Sequence, residues 1–227
     1  KPHINTSTPT KHNPPSMYLN KISNMIQSAH KPLLLIGSQT MLAPDKGEDL
    51  VKNIEVLGLP TFVSGTARGL LSKTGLPIFR HMRKKALKEA DLVILAGVPC
   101  DFRLDYGRHI NHRAKTVAIN LNRKDINLNR RPTMGITSDP GSFLIQLGQK
   151  TISGNWQEWQ EVLRKRDLER TVEITRQAGE HTKFINPMRL CFLLNQHLED
   201  GDILVADGGD FVATASYILR PRSLAGW

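Results

Sequence analysis

Five short stretches of the 227-residue chain, four of them with glycine, carry charged or amide side chains in the way phosphate-binding loops do. They are Gly37-Ser38-Gln39, Ser64-Gly65-Thr66-Ala67-Arg68-Gly69, Gly97-Val98-Pro99-Cys100-Asp101-Phe102-Arg103, Asn120-Leu121-Asn122-Arg123 and Asp207-Gly208-Gly209-Asp210-Phe211. Glycine lets a ligand or a helix approach the backbone closely, and Arg68, Arg103 and Arg123 are placed to neutralise phosphate. A glycine after a strand often does no more than turn the chain, and no loop carries the full G-x-G-x-x-G pattern. The argument for a nucleotide-like ligand therefore rests on the first four loops sharing one edge of a sheet.

Other chemistries find less support. His109 and His112 stand three apart, but no second pair of ligands accompanies them, so they read as exposed polar residues. Cys100 follows Pro99 with no histidine nearby to act as base, and it reads as a small buried residue. Ser64-Gly65 lacks the G-x-S-x-G elbow. Nothing assembles a nucleophile, a base and an oxyanion donor, and the sequence assigns no catalytic and no metal-binding residue.

Those loops need strands and helices to hold them. "MYLNKISNMIQSA" has helical spacing, "KPLLLIGS" is a buried strand, and "DKGEDLVKNIEVLG" is helical with Gly58 as its stop. "LPTFVSG" reads as a strand, "LKEADLVILAG" as a helix end running into a strand, "AKTVAINLN" as another strand, and "SDPGSFLIQLGQK" as a helix capped by Ser138 or Asp139. Strands that are apolar throughout, alternating with helices, predict an α/β fold with a doubly wound parallel sheet. Residues 1–15 read as a linker, 16–150 as the sheet domain and 151–183 as a polar helical connection with Trp156, Trp159 and Leu163 on one side. From 184 to 227 a second α/β domain is expected to begin, with a helix capped by Asn186-Pro187 and a strand in "DILVADGG", and to be cut off there.

The 39% hydrophobic content suffices for a core, and no apolar run approaches the roughly 20 residues needed to cross a bilayer. The opening "KPHINTSTPTKHNPPS" resembles neither a signal peptide nor an initiator terminus, so the chain is expected to start inside a longer protein. Two distant cysteines argue against a disulfide framework. The net charge of +10 lies in short groups without interleaved aromatics, which suits solvated surfaces, or attraction to an anionic nucleotide or CoA, better than nucleic acid.

The order and spacing of "KPLLLIGSQTM", "LGLPTFVSGTARGLL", "LKEADLVILAGVPCDFR", "KTVAINLNRKDI" and "SDPGSFLIQL" resemble the central domain of thiamine-diphosphate enzymes of the acetolactate synthase and 2-hydroxyacyl-CoA lyase group. "CDFRLDYGR" and "VADGGDF" look most like the animal members, and the segment from 186 onward resembles the opening of their cofactor domain. The resemblance implies a central-domain ADP or FAD site to which Gly37, Arg68, Gly97, Asp101, Arg103 and Asp139 match. Asn120-Leu121-Asn122 stands where relatives commonly have Asp-x-Asp, Pro99 replaces an arginine and Ser138 a glycine, departures that favour a chiefly structural domain.

The resemblance also implies that Asp207, Gly208, Gly209, Asp210 and Phe211 contact the diphosphate of thiamine diphosphate through backbone N–H groups at a helix N-terminus. Two aspartates there would repel the anion, so one must turn away or bind a hydroxyl, or Mg²⁺ must screen them. The implied chemistry is carbon–carbon cleavage or ligation on a 2-hydroxyacyl-CoA or a 2-oxo acid, with the cofactor as electron sink. The family's activating glutamate and metal loop are expected outside these 227 residues, which alone should be inactive. The family further implies a homo-oligomer at the endoplasmic reticulum membrane, held by a segment outside this chain. The alternative is a non-catalytic module of the same fold that binds NAD, ADP or FAD.

Overall fold

A computed structural model describes residues 16–227 apart from 151 and 153. The strands β1 (Pro32–Ile36), β2 (Thr61–Val63), β3 (Ile78–Phe79), β4 (Leu92–Ala96), β5 (Lys115–Asn120) and β6 (Met134–Thr137) form one sheet in the order β3-β2-β1-β4-β5-β6. Every pairing is parallel, so the fold is the expected doubly wound α/β arrangement. The helices are α1 (Ser16–Gln27), α2 (Gly47–Leu57), α3 (Arg83–Glu89), α4 (Arg123–Ile126), α5 (Pro140–Gly148), α6 (Gln157–Ala178), α7 (Pro187–His197) and α8 (Asp210–Ile218).

The strands are apolar throughout because both faces of the sheet are covered. Leu34, Ile36, Ile94, Ala96, Val117 and Ile119 point to one face, against Ile22 and Ile26 of α1, Leu50 and Ile54 of α2, and Phe143 and Leu147 of α5. The alternate residues Leu33, Leu35, Val93, Leu95 and Ala118 meet Ala86 and Leu87 of α3 on the other face. That second face is completed by Trp159 and Leu163, the apolar stripe of the otherwise polar α6. The indole N–H of Trp159 donates to Pro32 O at 3.2 Å and that of Trp156 to Ala29 O at 3.0 Å, while Arg166 reaches both oxygens of Glu89 at 3.0 Å.

Caps fall where the sequence places them. Asp139 accepts from the Ser142 N–H at 2.6 Å to start α5, and Asn186 accepts from Met188 and Arg189 N–H groups to start α7, each followed by a proline in the first turn.

Three expectations need correction or fall elsewhere. The edge strands β3 and β6 were not expected; they are too short for a period to show. The strand expected in "DILVADGG" does not form: residues 202–207 carry no ladder, and Ile203 and Val205 are 69% and 91% exposed. An apolar run becomes a buried parallel strand only beside another strand, and among the described residues none lies next to it. The expected lead-in of residues 1–15 lies outside the described residues.

Beyond the sheet, a separate cluster of Ile174, Cys191, Ala215, Ile218 and Leu219 joins the end of α6 to α7 and α8. No helix among the described residues is long and apolar enough to cross a membrane.

Because one narrow stripe attaches α6, Trp159→Ala should destabilise the fold by about 3–5 kcal/mol in urea unfolding, with Trp159→Phe costing less. A loss under about 1 kcal/mol for the alanine variant would show that the stripe does not anchor the helix.

Candidate functional site

Strand order reverses between β1 and β4, the point at which open α/β sheets usually bind ligands. Gly37 and Gly97 follow those two strands, and their backbones press against each other. A Cβ on Gly37 would fall on the Gly97 carbonyl oxygen, and one on Gly97, whose φ is 69°, would lie 2.9 Å from Gln39 Cβ. Gln39 crosses the reversal point: its Nε2 donates to Asn120 Oδ1 at 3.0 Å, and its Oε1 accepts from the Leu121 N–H at 3.1 Å. Asn120 Oδ1 also accepts from the Asn122 N–H. Asp139 is taken up in capping α5. Three residues expected to touch ADP or FAD, Gly37, Gly97 and Asp139, are thus engaged within the chain itself.

The other members of that set lead to a different place on the same edge. Arg68, after β2, and Arg103, after β4, line a cleft of about 800 Å³. One wall is the turn of residues 80–82 after β3 with Arg83 and Lys84 at the start of α3; another is Gly208, Gly209, Val212 and Tyr217 at and before α8. Arg68, Arg80, Arg83, Lys84, Arg103 and Arg170 all border it, and no Asp or Glu among the described residues does. Asp101 stands behind, holding Arg103 in a two-pronged contact through Nε and Nη2. Arg68 lies over the Trp227 ring, 5.0 Å from its centre.

Charge of one sign in a recess is costly to solvate, and the titration behaviour reflects it. Burial lowers the Arg68 guanidinium, with Arg83 and Arg103 adding to the effect; burial likewise lowers Arg83, with Arg103 pressing the same way. Arg80 is pushed down to about 10, first by burial and then by Arg220, against the pull of Asp167. Burial would raise the Asp101 carboxyl, but hydrogen bonds from Arg103 outweigh it and hold it below the usual range. A bound polyanion would relieve all three arginines at once.

Of the expected diphosphate turn, Gly208 and Gly209 face the cleft, while Asp207, Asp210 and Phe211 are not part of its lining. Asp207 Oδ1 instead accepts from the Gly208 N–H at 2.7 Å. Gly209, with φ 99°, opens α8 without a side-chain cap, and a Cβ there or at Gly208 would meet nothing within 4 Å. Uncapped N–H groups in open space at a helix N-terminus suit a phosphate.

The remaining candidates separate. His109 borders the cleft whereas His112 lines another recess, and no three potential metal-binding side chains gather among the described residues. Cys100 is buried and its thiol is pushed up by that burial, as befits an inert core residue. Sequence reasoning missed the role of residues 80–84, which read as solvated charge. Recognition of β3 would have placed that segment at the sheet's C-terminal edge.

The family described as "Thiamine pyrophosphate enzyme, central domain" matches residues 19–147. The chain is 40% identical over 210 residues to "2-hydroxyacyl-CoA lyase 2" of Danio rerio, covering 89% of this chain and 34% of that protein. It is 40% identical over 223 residues to the protein of the same name from Caenorhabditis elegans, covering 94% and 35%. It is 25% identical over 224 residues to a "Probable acetolactate synthase" of Mycobacterium bovis, covering 96% and 40%. The chain thus spans about a third of the length of the animal proteins it matches. The matched central domain takes up more than half of the chain and contains all six strands of the parallel sheet, so the protein belongs to the thiamine pyrophosphate enzyme family.

Proposed function

We propose that the chain is part of a thiamine-diphosphate-dependent carbon–carbon lyase acting on 2-hydroxyacyl-CoA thioesters, as in the breakdown of 2-hydroxy fatty acids. The observation that carries the reading is the cleft: six basic side chains and the open N-terminus of α8 border one recess and make a receptor for phosphorylated ligands. The names of the animal relatives support the substrate class.

Within this reading, the N–H groups of residues 209–211 bind the cofactor diphosphate, and Arg68, Arg83 and Arg103 hold the phosphates of the CoA moiety. Phe102 and Tyr217, 72% and 44% exposed, offer ring faces to its base. When bound, thiamine diphosphate supplies the electron sink for the bond cleavage. Magnesium belongs to the same reading, yet the described residues do not form a site for it: Asp207 and Asp210 are the only carboxylates of the turn, and no third ligand joins them. The chain's own contribution is therefore anion binding and orientation. A non-catalytic nucleotide module gains no support from the reversal point, where Gln39 and Asn120 bind each other.

Calorimetry with CoA tests the cleft. Arg83→Ala should weaken CoA binding about tenfold or more, as loss of a charge-assisted contact does, and raised salt should weaken it further. Unchanged affinity in Arg83→Ala, Arg68→Ala and Arg103→Ala would remove the cleft from substrate binding. The purified 227-residue chain, given thiamine diphosphate and Mg²⁺, should show no turnover of a 2-hydroxyacyl-CoA; measurable cleavage would refute the assignment of essential catalytic groups to other parts of the enzyme.

A further inference from the structure

We propose that Arg80 is a positioning residue that sets the gap across the cleft, by clamping the turn of residues 80–82, and with it the start of α3, to the C-terminal end of α8. The inference rests on the reading of the cleft as an anion receptor, and its mechanical part can be tested without any ligand.

Arg80 is gripped at both ends. Its backbone N–H and that of His81 donate to the same carboxylate oxygen of Asp167 on α6, each at 2.7 Å. Its guanidinium Nη2 donates to Leu219 O at 3.1 Å and to Ser216 O at 3.4 Å. The last carbonyls of a helix have no partner within it, and a cation there also meets the negative end of the helix dipole. His81 adds a second hold, its ring meeting Tyr217 of α8 edge-on with centres 6.0 Å apart.

The geometry carries this hold into the site. Met82 takes the left-handed conformation, φ 59°, and the chain turns there so that Arg83 and Lys84 line the cleft. The nine residues of α8 form a rod of about 13 Å at 1.5 Å per residue. The same rod is held by Arg80 at one end and presents Gly208 and Gly209 to the cleft at the other. Both walls that would contact an anion are thus referred to one side chain and, through Asp167, to α6. Arg80 also stays in place at a cost: its Nε is buried without a partner, and its guanidinium is desolvated. A residue needed only to cover apolar surface would not require that arrangement.

The experiment compares Arg80→Gln, Arg80→Lys and Asp167→Asn with the unaltered 227-residue chain by hydrogen exchange and by calorimetry with inorganic pyrophosphate. Arg80→Gln should speed exchange in residues 210–219 at least tenfold while β1 and β4 stay protected, and should weaken pyrophosphate binding about tenfold. Lysine keeps the charge but lacks the planar fork, so Arg80→Lys should recover only part of both effects. Asp167→Asn should change both readouts in the same direction, and the double variant should be no worse than Arg80→Gln alone. Unchanged exchange in α8 in both Arg80→Gln and Asp167→Asn overturns the clamp, whatever the binding shows. Loosened exchange with unchanged pyrophosphate affinity overturns its role in the site. If the unaltered chain gives no heat with pyrophosphate, the anion-receptor reading fails and with it the role assigned to the gap, while exchange still judges the clamp. Should Arg80→Gln unfold globally, Asp167→Asn and Arg80→Lys carry the same decision.

Discussion

The attachment of α6 to the sheet is the contact on which the remaining arrangement hangs. A parallel sheet must be covered on both faces, and here one face is completed by a helix that is charged along most of its surface. Trp159 and Leu163 give it a narrow apolar footing, and Trp156 anchors its N-terminal end. Once seated, α6 presents Arg166 to Glu89 of α3, Asp167 to the turn after β3, and Ile174 toward α7 and α8. The sheet, the basic loop and the C-terminal helices share one spine, which explains why residues far apart in sequence border the same cleft.

Much of this was legible in the amino-acid sequence, and the parts that were not have physical causes. Runs such as Leu33 to Ile36 and Leu92 to Ala96 announce strands because being buried on both faces leaves no polar position in them. Asp139-Pro140 and Asn186-Pro187 announce helix starts because caps are local chemistry. Ile78 and Phe79 announce nothing, since a two-residue edge strand is defined by its neighbour, β2. Residues 203–206 mislead in the opposite direction: their composition is that of a buried strand, but composition cannot supply the partner that a strand requires.

The site shows the same division. Arg68 and Arg103 could be picked out because each follows a strand and a glycine, and both do reach the cleft. Gly37 and Gly97 carry the same signal, and the close approach seen at both is that of the chain to itself. Arg80, Arg83, Lys84 and Arg170 look like surface charge in sequence, and only the crossing of α6 and the return of α8 converts them into a lining.

The contacts of Gln39 lock the sheet edge at the reversal point. A group arriving there must displace an amide that already has a donor and an acceptor satisfied, and that amide is tethered at high effective concentration. Its removal would leave the Leu121 N–H without its acceptor, whereas Asn120 Oδ1 would keep the Asn122 N–H. One glutamine thus acts as an internal plug: the chain occupies its own reversal point, and the basic side chains gather in the cleft beside it.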